Sequence, residues 1–144
     1  MDRIRLEVVA RVNPTEDREK VGKAILNIFP NARLAEEDLG NGLTILKGSS
    51  EGFEALERLK SLIGAERIRS AAKAILSSSK IGNALEFHLH KQAAFAGRVS
   101  FSQPFGESPL GPISVRVECE DPDGLIEWLT EPAARGSEER SGLG

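Results

Sequence analysis

An α+β fold, a mostly antiparallel sheet with helices packed on one face, is what this sequence predicts. Three observations point there. Residues 3–12 and 113–120 alternate apolar and polar side chains with a period of two, the mark of strands with one buried face. The stretches from Pro14 to Phe29 and from Ser50 to Gly64 repeat apolar residues at three- and four-residue spacing, the mark of amphipathic helices. The order is strand, helix, hairpin, two helices, then strands again, which breaks the regular alternation of a doubly wound parallel sheet.

In the first strand Ile4, Leu6, Val8, Ala10 and Val12 point one way and Arg3, Arg5, Glu7 and Arg11 the other. Asn13-Pro14-Thr15-Glu16 then predicts a helix start. Asn13 suits the cap, Pro14 the first helical position, and Glu16 can reach back as in a capping box. Val21, Ala24, Ile25 and Ile28 form the apolar stripe, and Phe29-Pro30-Asn31 ends the helix. Strands are expected at 32–37 and 43–47, joined by the hairpin signal Gly40-Asn41-Gly42.

Ser50 suits the cap of a second helix, with Phe53, Leu56, Leu59 and Ile63 inward and Gly64 as its stop. A third helix is expected from Glu66 to about Ser78, with Ile68, Ala72, Ile75 and Leu76 inward. Residues 84–90 alternate again, Leu85, Phe87 and Leu89 inward and Glu86, His88 and His90 outward. A short strand is placed at Val99-Ser100-Phe101, and Gln103 to Pro112 reads as turn. Ile113, Val115, Val117 and Cys119 face inward in the last strand. Asp121-Pro122-Asp123 opens a final helix carrying Leu125, Ile126, Trp128 and Leu129.

With 144 residues the chain has the length of one domain, assigned to residues 1–130. The Gly- and Ser-rich polar tail, 131–144, is expected to be disordered. A lone cysteine, Cys119, cannot form an internal disulfide, which suits a reducing cytoplasm. There is no signal-peptide-like start and no run of about 18 apolar residues to span a membrane. The expected protein is therefore soluble and cytoplasmic.

No nucleophile elbow, phosphate-binding loop or dinucleotide fingerprint occurs. Gly48-Ser49-Ser50-Glu51-Gly52 lacks the lysine a phosphate loop needs, and reads as a turn with a helix cap. His88 and His90 share a strand face, but two histidines fall short of the three or four ligands of a zinc site, and Cys119 points inward on another strand. Neither catalysis, a metal nor a cofactor is expected.

The net charge of −3 is unevenly spread. Between Glu66 and Arg98 lie Arg67, Arg69, Lys73, Lys80, Lys91 and Arg98, opposed only by Glu66 and Glu86. On a helix reaching Lys80, residues Arg69, Lys73 and Lys80 fall within about 40° of one another and form a cationic stripe, with Ser77, Ser78 and Ser79 nearby. The plainer reading of such a stripe is a solvated helix face. His88, His90, Lys91, Gln92 and Arg98 add polar donors suited to phosphate, base edge or 2′-hydroxyl. Phe87 and Phe101 are expected in the core, with only Phe95 or Phe105 exposed. Without tyrosine or an aromatic-rich strand, a stacking platform is not expected.

Three blocks carry a resemblance: Val12 to Asp17 running into Lys23 to Pro30; Lys91 to Phe95 with Gly97 to Phe101; and Leu110 to Val115. Together, over about residues 3–129, the chain resembles the archaeal uncharacterised protein family 0201, a family of predicted RNA-binding or exosome-associated proteins. The resemblance implies a fold similar to the ribosomal protein that binds 5S ribosomal RNA, a tendency to form homodimers, and RNA binding. It brings no catalytic residues.

The leading expectation is a non-catalytic protein that recognises structured RNA, ribosomal RNA among the candidates, through a basic patch of Arg69, Lys73, Lys80, His88, His90, Lys91, Gln92 and Arg98. The alternative is a homodimeric interaction or assembly module without specific RNA binding, built on an exposed sheet edge. An enzyme would require a deep pocket gathering Lys91, Gln92 and the two histidines.

Overall fold

The computed structural model describes residues 3–103 and 110–132. All of the predicted tail beyond Pro132 lies outside the described residues, as does Phe105 with most of the predicted turn before Pro112. The elements are β1 (Arg5–Val12), α1 (Arg18–Ile28), β2 (Arg33–Gly40), β3 (Leu43–Glu51), α2 (Glu57–Ala65), α3 (Arg69–Ser78), β4 (Lys80–Ile81), β5 (Ala84–Leu89), α4 (Lys91–Phe95), β6 (Phe101–Ser102), β7 (Ile113–Glu118) and α5 (Pro122–Thr130). A 3₁₀ turn, Phe53–Leu56, leads into α2.

The fold is α+β. Its strands join in one antiparallel sheet in the order β2-β3-β1-β7-β5-β4, with β6 against β5. Register places apolar residues in rows across the centre: Leu6–Val117–Leu85, Val8–Val115–Phe87 and Ala10–Ile113–Leu89. All nine are buried and face the helices. The period of two in each strand therefore sorts the sheet into one covered and one open face. Toward β3 the rows thin to Gly48, opposite Val8. A Cβ there would lie 3.1 Å from Leu34 Cδ2 and 3.3 Å from Ala32 Cβ, so glycine lets Leu34 of β2 lie over the strand. The helices complete the core with Val21, Ala24, Ile25 and Ile28 of α1, Leu59 and Ile63 of α2, Ala72 and Leu76 of α3, and Leu125, Ile126 and Leu129 of α5. Trp128 closes one end, its ring 4.8 Å from that of Phe53 in an edge contact.

Several boundaries differ from expectation, each for a visible reason. The Asn13–Glu16 segment forms a turn, with Glu16 N–H donating to Asn13 O at 2.9 Å. Glu16 does accept from the Asn13 N–H, also at 2.9 Å, but the helix cap is Asp17, whose side chain accepts from Glu19 N–H. Ser50 is not a cap: it continues β3, opposite Leu6.

Gly64 is not the stop of α2. The left-handed residue is Arg67, with φ of 60°. Ile68 N–H donates to Ile63 O and Arg67 N–H to Gly64 O, both at 3.1 Å, which is the Schellman pattern. Helix α3 ends at Ser78, and Lys80 belongs to the two-residue strand β4. Ile75 is exposed rather than inward. His90 lies just past β5, at the cap of α4, a short helix where no regular element was expected.

No helix among the described residues is long and apolar enough to cross a membrane.

Candidate nucleic-acid interface

The eight residues singled out by sequence do not share one surface. Arg69, Lys73 and Lys80 lean on α5. Lys73 Nζ is 2.8 Å from Glu127 Oε2, Lys80 Nζ is 2.6 Å from Asp123 Oδ1, and Arg69 Nε donates to Glu131 O at 3.2 Å. With Lys80 off the helix, the expected stripe does not form. The nearby hydroxyls are turned inward as well: Ser78 Oγ donates to Ile75 O and Ser79 Oγ to Leu76 O, covering the last carbonyls of α3.

His88 sits half-buried on the open face of the sheet, its Nδ1 3.0 Å from Ser114 Oγ. Burial lowers its pKa and outweighs the opposing pull of Glu86, so the ring is neutral near pH 7. Cations around it are already matched: Arg116 with Glu86 and Glu118, Arg5 with Glu118, Lys47 with Glu37. The open face carries these ion pairs and, among the described residues of its strands, no Phe or Trp. Phe87 points to the core, 5.8 Å from Phe101 in an edge contact. His90 N–H donates to Ser100 O at 2.9 Å.

Lys91 lies inside the protein, 9% exposed. Its ammonium contacts both oxygens of Glu16 at 3.0 and 3.2 Å, Leu110 O at 2.8 Å and Arg11 O. Burial depresses the Lys91 pKa more than Glu16 restores it. Burial alone would raise Glu16, but the Asn13 N–H and the Lys91 ammonium outweigh it and hold the carboxyl below its ordinary value. Lys91 therefore ties β1, α4 and the segment before β7 together, and is withdrawn from any surface.

Gln92 and Arg98 remain exposed, and near them the structure gathers residues that sequence reasoning did not. Helix α4 packs along α1. Asn27 of α1 donates from Nδ2 to Ala94 O and Phe95 O, both at 3.0 Å, the first of which also accepts from Gly97 N–H at 2.9 Å. Gly97, at φ of 80°, turns the chain in the left-handed region. Arg98 N–H then returns to Ala93 O at 2.8 Å, closing the Schellman pattern.

This arrangement fixes the backbone of Phe95 while leaving the residue 41% exposed. Lys20 and Lys23 of α1 bring their ammonium groups to 6.0 and 5.8 Å from the ring centroid. Among the described residues no carboxylate pairs with Lys20, Lys23 or Arg98. Gln92 stands one turn before Phe95 on α4. Lys20 and Lys23 thus meet at a partly exposed aromatic ring, with Gln92 one turn earlier and the exposed Arg98 three residues further along the chain. That combination suits phosphates and bases. The signal for the lysines was their three-residue spacing on the outer side of α1; their relation to Phe95 depends on the α1–α4 contact, which spans about seventy residues of chain.

Among the described residues no three of His, Cys, Asp and Glu gather as a metal-holding group. A family profile described as RNA binding matches residues 5–119. A protein of the UPF0201 family from Aeropyrum pernix is 42% identical over 135 residues, 93% of this chain and 89% of its own length. Another from Sulfurisphaera tokodaii is 43% identical over 136 residues, 94% of this chain and 92% of its own. The crystal structure of the UPF0201 protein from Methanococcus jannaschii superposes with a TM-score of 0.80 at 35% identity, covering 88% of this chain and 98% of that one.

Proposed function

Because the chain belongs to the archaeal UPF0201 family, matched by a profile described as RNA binding, we propose that it is a non-catalytic cytoplasmic protein that holds structured RNA against the α1–α4 surface. The observation that supports this reading is that Lys20 and Lys23 meet at the exposed Phe95 ring without a carboxylate partner among the described residues, whereas Lys73, Lys80 and Lys91 are each paired with one. Phosphate contacts dominate RNA affinity, and cations already bonded to carboxylates have little left to offer them. An overall acidic protein can then bind a polyanion through one local surface. Ribosomal RNA is the first candidate ligand; an exosome association is the second part of the same expectation, and co-purification from native extract addresses both.

The test is affinity for a structured RNA across a salt series. Three phosphate contacts give a slope of log K against log salt of about −2 to −3. Changing Lys20, Lys23 and Arg98 together to Glu removes most of the binding and flattens the slope. A folded triple variant with unaltered affinity and slope rules this surface out.

One observation favours a second reading, a homodimeric assembly module. Every residue of the edge strand β2 is exposed, so its outer backbone groups are open to pairing. Against it, Glu36-Glu37-Asp38 would meet their own counterparts in a two-fold pairing centred on them. Light scattering separates the two: a dimer that Ala35→Pro converts to monomer supports β2 pairing, and a monomeric wild type removes it.

A further inference from the structure

We propose that Phe95 receives one unpaired nucleotide of the bound RNA, its base stacked on the ring and its phosphates held by Lys20 and Lys23. The inference deepens the RNA-binding reading above and rests on it. It starts from a misplaced side chain. Phe29 and Phe87 are buried in the core and Phe53 and Phe101 are partly covered, whereas Phe95 is 41% exposed. A lone exposed phenylalanine needs no explanation by itself. This one is held in place from both sides: Asn27 binds the carbonyl of Phe95 and that of Ala94, and the Gly97 turn closes behind it. With its backbone so anchored, the segment that carries the ring loses little freedom when a base settles on it.

The charges around it narrow the ligand. Both ammonium groups stand near the outer limit of cation–π attraction, 5.8 and 6.0 Å from the centroid, and are weakly held there. Both lie over the ring, so an incoming base displaces at least one of them, and each is then available to a phosphate flanking the stacked base. Lysines alone would serve any duplex backbone. An aromatic face beneath them would not, because the bases of an A-form helix are stacked inside and expose no π-face to a side chain. Stacking on Phe95 requires a base in a loop, bulge or end. Gln92, one turn earlier, supplies a donor and an acceptor for its edge or for a 2′-hydroxyl. Structured RNA with an extruded nucleotide is therefore the ligand class.

The experiment compares a labelled RNA hairpin carrying a single bulged adenosine with the same hairpin fully paired, using the full chain at one salt concentration. Wild type binds the bulged hairpin more tightly. Phe95→Ala and Phe95→Leu each lose about fivefold or more on the bulged RNA, with no change on the paired one; Phe95→Trp retains the preference. The leucine variant keeps the apolar bulk, so its loss reports stacking and not folding. Lys20→Ala with Lys23→Ala weakens both RNAs. Equal affinity of wild type for the two hairpins, or a Phe95→Leu protein that keeps the preference, overturns the stacking proposal while leaving RNA binding intact. Absence of binding to either hairpin overturns the underlying reading and the stacking proposal with it.

Discussion

Lys91 and Glu16, 75 residues apart in the chain, form a nearly buried ion pair with Nζ 3.0 Å from Oε1. The same ammonium binds the carbonyls of Arg11 and Leu110, so one side chain links the end of β1, the start of α4 and the approach to β7. The pair fixes where α4 sits, and α4 carries Phe95.

Lys91→Met leaves a largely buried carboxylate and two carbonyls without their partner. Breaking such a pair from one side is costly, and the expected loss is about 3 kcal/mol of stability. Urea denaturation with the slope held common to both proteins measures it.

The pH dependence follows from the direction of the Glu16 shift. A carboxyl whose folded pKa lies below its unfolded value contributes stability that is present above the unfolded pKa, about 4.3, and is lost as pH falls through the folded pKa. Glu16→Gln should therefore be less stable at neutral pH and lose less on going from pH 6 to pH 3 than wild type. Parallel melting-temperature profiles over that range would contradict the assignment.

Arg67 occupies the left-handed position at the end of α2 and is exposed. An L side chain there costs about 1–2 kcal/mol, part of which glycine returns through its looser unfolded chain. Arg67→Gly is expected to raise stability by about 0.5–1 kcal/mol, read as a higher denaturation midpoint.

Lys73 and Lys80 provide the internal contrast for RNA binding. Both are paired to α5, at Glu127 and Asp123. Changing both to Ala should alter RNA affinity by less than about twofold and stability by less than about 1 kcal/mol, as expected for exposed pairs. Filter binding with one RNA at fixed salt is the check.

What the sequence disclosed follows from which physics acts locally. β1 and β7 were legible because each buries one face, so alternation is written into Leu6, Val8, Val115 and Val117. β2 was expected at 32–37 and runs from Arg33 to Gly40, because all eight of its residues are exposed and leave no alternation to mark its end. Ser50 misled because a serine ahead of a glutamate caps helices as readily as it continues a strand; only its pairing with Leu6 decides, and that is a long-range fact. α4 has five residues, too few to show a helical period. For the site, Gln92, Phe95 and Arg98 were visible as residue types. The burial of Lys91 was not, because nothing near it in sequence announces Glu16 or the Arg11 carbonyl. Nor was the placement of Lys20 and Lys23 over Phe95, which arises only where α1 meets α4.

The most direct test is to crosslink bound structured RNA to the wild-type protein with ultraviolet light and map the modified peptides by mass spectrometry. The account predicts adducts on the peptides carrying Lys20 to Lys23 and Gln92 to Arg98, with Phe95 the principal residue. Adducts confined to α3, or to the open face of the sheet around His88 and Arg116, would contradict it.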